Sequence, residues 1–139
     1  MDAELTREEF DAALIDEAFA LGDTAVDARW HEGGVPVFIL RGRMQGLTGN
    51  AVAERLQPLW GRLRGPIVLD LAECEYMSSS TLGFIVNAAL ERMDKGWRLY
   101  LAAIPRVIRV VFAHMDIDQF FHEFESVDAA VQAARRHSS

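Results

Sequence analysis

An α/β domain, with a mixed and mostly parallel sheet, is the architecture that residues 26 to 139 predict. Two β-rich runs, Val26 to His31 and Val35 to Leu40, flank Glu32-Gly33-Gly34, the pattern of a β-hairpin. Beyond them strand patterns alternate with helical stripes, and such alternation implies crossover connections and parallel strands. About four helices flank this sheet, and one further helix precedes it, so the chain divides into a helical extension over 1–25 and a domain over 26–139.

The extension carries a strong start signal. Thr6 and Glu9 fit a capping box, and Leu5 and Phe10 stand at the spacing of a hydrophobic staple. Phe10, Leu14, Ala18 and Leu21 make one stripe, with Gly22 as a stop, so a helix is expected over 6–21. The stripe serves either a helix packed on its own domain or a dimerisation helix. After the hairpin, residues 42–48 read as a loop with Thr48 or Asn50 as the next cap. Val52, Leu56, Leu59 and Leu63 then form a stripe across 50–63, with a kink or a fresh first turn expected at Pro58. Gly65-Pro66 breaks the chain before an apolar strand, Ile67 to Leu71.

A short acidic loop and four consecutive hydroxyl residues, Ser78 to Thr81, follow that strand. A helix is expected from about Ser80, its buried face being Leu82, Ile85, Val86, Ala89 and Met93, and Lys95-Gly96 ends it. Trp97 to Ala103 reads as a buried strand, and residues 105–115 as a helix with Pro105 in its first position. Gln119 to Phe124 suits a last short strand, and Ser126 caps a final helix whose face is Val127, Ala130, Val131 and Ala134.

With 139 residues the chain suits one domain with a full core. No apolar run approaches the roughly 20 residues needed to span a bilayer, and the polar, acidic start is unlike a secretory signal, so no membrane insertion is expected. One cysteine, Cys74, forbids an internal disulfide and fits a cytoplasmic protein. A net charge of −7 argues against nucleic acid, where a basic face supplies most of the affinity.

No enzyme is expected, and no cofactor. The chain lacks a phosphate-binding glycine loop, a nucleophile elbow and a paired-cysteine metal site. His114, Asp116, Asp118 and His122 lie close in sequence, but their spacing matches no standard metal site and suits a solvated loop. The serine run is different. A helix start has backbone N–H groups without intrahelical partners and a positive dipole end, so a serine there either caps the helix or accepts a phosphate. A cap needs one hydroxyl, and here there are four. Phe84 points away from the Leu82–Ile85–Ala89 stripe, and is either an exposed anchor for a partner one turn from Ser79 or packed under a neighbouring loop or the N-terminal helix.

Ile67 to Ala72 followed by Tyr76 to Gly83 resembles the signature of STAS domains, found in bacterial anti-sigma-factor antagonists and in the tails of sulphate transporters. That signature is a strand with Asp-Leu-Ser, a few residues, then Asp-Ser-Ser-Gly-Leu-Gly opening a helix. The resemblance extends over about residues 26 to 134, supported by Gly42, by the helix from Pro105 to Met115, by the segment from Ile117 to Phe121 and by the alanine-rich last helix.

The resemblance implies a STAS-like fold and a bacterial phosphoprotein of transcription regulation. Unphosphorylated, such an antagonist binds a partner that is both anti-sigma factor and serine kinase and thereby frees the sigma factor; phosphorylated, it lets go, and a serine phosphatase resets it. By position the acceptor is Ser79, with Ser78 and Ser80 as rivals, and the partner surface comprises Ser78, Ser79, Ser80, Thr81, Leu82 and Phe84. Asp70 aligns with the acidic residue that closes the central strand and supports the loop. The alternative is a non-phosphorylated STAS scaffold or subunit of a multi-protein or transporter complex. Two positions depart from the signature: Ser78 replaces its aspartate, and Thr81 replaces its glycine, adding bulk where a partner would approach. A phosphate brings about −1.5 to −2 charges, tolerable at a helix start but costly to bury unpaired against a partner, at tenfold in affinity per roughly 1.4 kcal/mol.

Overall fold

The computed structural model describes residues 19–21, 24–31, 34–116 and 121–138. Their strands are β1 (Phe19–Leu21), β2 (Thr24–His31), β3 (Val35–Met44), β4 (Ile67–Asp70), β5 (Cys74–Met77), β6 (Leu99–Ala102) and β7 (His122–Phe124). Their helices are α1 (Gly46–Gly61), α2 (Ser79–Asp94), α3 (Arg106–Met115) and α4 (Val127–Ser138). The sheet runs β1-β2-β3-β4-β6-β7, with β5 paired to β3 off that path. The β1–β2 and β2–β3 pairings are antiparallel. Those of β3 with β4 and β5, of β4 with β6 and of β6 with β7 are parallel. The expected mixed, mostly parallel sheet with its hairpin is therefore present.

Period-2 alternation divides the core into two layers. Phe38, Leu40, Ile67, Leu69, Leu99 and Leu101 face α1, α2 and α3, where Val52, Leu56, Leu82, Ile85, Ile108 and Phe112 meet them. Val35, Val37, Val68, Tyr100 and Ala102 face the other way, onto Ala130, Val131, Ala133 and Ala134 of α4. The small side chains of α4 let it lie close on the strands. Ser126 caps that helix as expected, its hydroxyl accepting from the Ala129 N–H at 3.1 Å.

Five expectations are corrected. Most of the helix expected over 6–21 lies outside the described residues, but its last three positions form strand β1, paired Phe19↔Val26 and Leu21↔Thr24. Gly22-Asp23 between them is as much a hairpin signal as a helix stop, and the open edge of β2 offers backbone partners. Residues 42–44 are strand, not loop, because β5 extends the sheet there: Gly42 N–H donates to Glu73 O at 3.0 Å, and Gly42 takes φ 85° where the register shifts. The helix after that strand consequently starts at once, at Gly46, so Thr48 and Asn50 lie inside it and Gln45 stands at the N-cap position, its side chain making no capping bond. Met93 is exposed, and Arg92 takes the inward place on α2. Pro105 sits one residue ahead of α3, at its N-cap. Residues 117–120, including the first part of the strand expected from Gln119, fall outside the described residues.

Candidate functional site

The carboxyl ends of β3 and β4, with β5 beside them, bring the starts of α1 and α2 together at one edge of the sheet, the usual functional edge of parallel strands. Asp70 closes β4, and its Oδ1 accepts from the Ala72 N–H at 3.0 Å, which supports the turn into β5. Arg41 stands beside this turn, its Nε 2.9 Å from Glu73 Oε2, and that hydrogen bond pushes the guanidinium pKa up.

At the start of α2 the four hydroxyls separate into two kinds. Ser78 is the N-cap, so the helix starts at Ser79; its backbone is extended (φ −73°, ψ 163°) and its Oγ accepts from the Thr81 N–H at 3.3 Å. The Ser78 N–H donates to Met44 O at 2.8 Å, and the Thr81 hydroxyl donates to the same carbonyl at 3.3 Å. Ser78 Oγ and Thr81 Oγ1 lie 3.2 Å apart. Since the one hydroxyl proton of Thr81 is directed at Met44 O, the Ser78 hydroxyl is the donor between the two. Ser79 and Ser80 are exposed in the first turn, and their hydroxyls have no partner among the described residues.

Thr81 is buried at 2% exposure and Leu82 at 0%, which removes both from the expected partner surface. Thr81 does add bulk, but inward. A Cβ on Gly49 would lie 2.5 Å from Thr81 Oγ1, so a glycine in the first turn of α1 makes room for it. Leu47, two residues before Gly49, is 87% exposed at the same corner.

Phe84 is half-buried and stacks on Trp60 of α1, with ring centroids 5.1 Å apart and an interplanar angle of 21°. It is thus packed within its own domain across the helix pair. The two rings and Ser80 line a groove of about 590 Å³ between α1 and α2, with Gln57 and Asn87 among its polar groups. At its far end Arg92 reaches under α1. Its Nη1, Nη2 and Nε donate to the carbonyls of Trp60, Leu63 and Gly65 at 3.1, 2.7 and 3.2 Å. Burial lowers the Arg92 pKa to about 10, and the side chain stays charged at neutral pH.

Three contributors escaped the sequence reading: Met44, Gly49 and Arg92. Arg92 had a signal, since it continues the Leu82, Ile85, Ala89 spacing. His114 and Asp116 lie exposed at the end of α3, His122 on β7, and Asp118 outside the described residues. Among the described residues no group of three His, Cys, Asp or Glu side chains is placed to hold a metal ion. Nor, among them, is any helix long and apolar enough to cross a membrane.

A family model described as "Mlab, STAS domain" matches residues 29–132. No curated protein matches the chain. Among solved structures, an anti-sigma factor antagonist from Mycobacterium paratuberculosis is 20% identical at TM-score 0.72, covering 84% of this chain and 99% of that one. The anti-sigma factor antagonist SpoIIAA, in its unphosphorylated form, is 15% identical at TM-score 0.68, covering 81% of this chain and 97% of that one. Murine Slc26a9, an anion transporter, is 12% identical at TM-score 0.65, covering 91% of this chain and 24% of that one. At these identities the three are alike in fold.

Proposed function

Because the chain belongs to the STAS domain family, we propose that it is a phosphorylation-switched anti-sigma-factor antagonist, with Ser79 as the acceptor. Unphosphorylated, it binds an anti-sigma factor that is also a serine kinase, in the cytoplasm, and the sigma factor is released; a serine phosphatase reverses the modification. The observation that carries this reading is the exposed Ser79 hydroxyl, uncommitted in the first turn of α2 while Ser78 does the capping. The free N–H groups and dipole of that turn favour an added anion, so phosphorylation leaves the fold intact and acts on the partner. Ser79, Ser80 and Leu47 supply the surface, and Phe84 supports it from beneath.

The test is the mass of the protein purified from its own cells, with the modified residue mapped, together with binding of the cognate kinase to Ser79→Ala and Ser79→Asp. Phosphate on Ser79 and at least about tenfold weaker binding of Ser79→Asp are expected. Equal binding of Ser79→Asp and wild type would refute the switch. A second reading, a non-phosphorylated subunit of a transporter or multi-protein complex, draws on the transporter neighbour. It predicts no phosphate on any serine of the run and stable co-purification with the other subunits.

A further inference from the structure

We propose that Thr81 decides which serine of the run can take the phosphate, by occupying the hydroxyl of Ser78; this rests on the switch reading above. Phosphoryl transfer from a nucleoside triphosphate forms a bond between the serine Oγ and the γ-phosphorus. It breaks the bond from that phosphorus to the nucleoside diphosphate, and the hydroxyl proton passes to a base on the kinase. The acceptor therefore needs an oxygen open to attack and a proton open to removal. Ser78 has neither. Its Oγ accepts from the Thr81 N–H at 3.3 Å, and its proton is directed at Thr81 Oγ1, 3.2 Å away. The chain of donors ends on Met44 O, which also receives the Ser78 N–H, so both ends of Ser78 are tied to the turn.

Thr81 is buried, and its hydroxyl fills the space that Gly49 leaves, lying where a Cβ on residue 49 would come within 2.5 Å. The glycine that the STAS signature carries at position 81 has no hydroxyl to do this. In this chain the residue without a side chain stands instead at position 49, and the threonine fills the space between the two helix starts. Ser79 and Ser80 lie outside this network and remain available.

The proposal is tested with wild type, Thr81→Gly, Thr81→Val and Thr81→Ser, each incubated with ATP and an extract of the source cells and then site-mapped by mass spectrometry. Thr81→Val keeps the shape without the hydroxyl and covers the case in which Thr81→Gly loosens the helix. Wild type and Thr81→Ser should carry phosphate on Ser79 or Ser80, with Ser78 a trace. In Thr81→Gly and Thr81→Val the Ser78 share should rise roughly tenfold, the equivalent of one lost hydrogen bond. An unchanged Ser78 share, or wild type modified mainly on Ser78, overturns the role of Thr81 and leaves the switch standing. No phosphate on any serine of wild type overturns the switch, and this selection with it. A second arm needs no kinase. Gly49→Ala should lower Tm by about 8 °C beside Thr81 and by less than half as much beside Thr81→Gly. Equal shifts in the two backgrounds would overturn the wedge.

Discussion

Arg92 ties the far ends of α1 and α2, and replacing it measures what that tie contributes. The side chain is 5% exposed and supplies three donors to the carbonyls of Trp60, Leu63 and Gly65, at 2.7 to 3.2 Å. These are carbonyls at and beyond the last turn of α1, which carries no basic residue of its own to meet them. Arg92→Met keeps most of the buried stem and removes all three bonds. Bonds from a charged donor contribute about 1.5–3 kcal/mol each, and removing a buried cation returns part of its desolvation cost. Trp60 O retains the Leu63 N–H at 3.2 Å, which further limits the loss. The net expectation is about 3 kcal/mol, or roughly 10 °C in Tm for a chain of this length. Arg92→Lys, able to reach one carbonyl, should lose about 2 kcal/mol. Urea titration followed by circular dichroism at 222 nm reads both. A loss below about 1 kcal/mol for Arg92→Met, or a gain, would show that apolar packing alone joins the helix ends.

Two further outcomes follow from buried groups. Burial pushes the Cys74 thiol from its ordinary 9.0 up to about 11. Folded protein thus keeps a proton that unfolded chain gives up, so this stabilising contribution is whole below about pH 9 and lost as pH rises towards 11. It amounts to about 2–3 kcal/mol at most. The urea midpoint of wild type should therefore fall more steeply than that of Cys74→Ala between pH 9 and 11, and parallel slopes would contradict it. Phe84→Ala removes a ring stacked on Trp60 at 5.1 Å and should cost about 2 kcal/mol in the isolated domain. Unchanged thermal unfolding of that variant would return Phe84 to the role of a pure partner anchor.

Where a single periodic pattern decides an element, the sequence was enough. The stripe of α4 and its Ser126 cap, the apolar face of α1 and the hairpin of β2 and β3 were all legible, because each rests on local spacing. β5 was not. Its four residues, Cys74 to Met77, carry two acidic neighbours and gain strand character from the end of β3 rather than from their own propensity. The length of β3 was hidden for the same reason, since its last residues are strand only while β5 lies beside them.

The serine run shows the same division at atomic scale. Composition and order alone placed four hydroxyls at the start of a helix, and the resemblance to the family signature pointed to Ser79 as the proposed acceptor among them. They are equivalent as a pattern, because any of the first three can cap or be modified. What separates them is Met44 O, thirty-four residues earlier in the chain, together with the space left by Gly49. Folding brings that carbonyl and that gap to the start of α2. Ser78 and Thr81 are thereby consumed in structure, while Ser79 and Ser80 stay at the surface. Periodicity is a property of neighbours along the chain and could be read there; a hydroxyl's freedom depends on which distant carbonyl reaches it, and only the tertiary structure decided that.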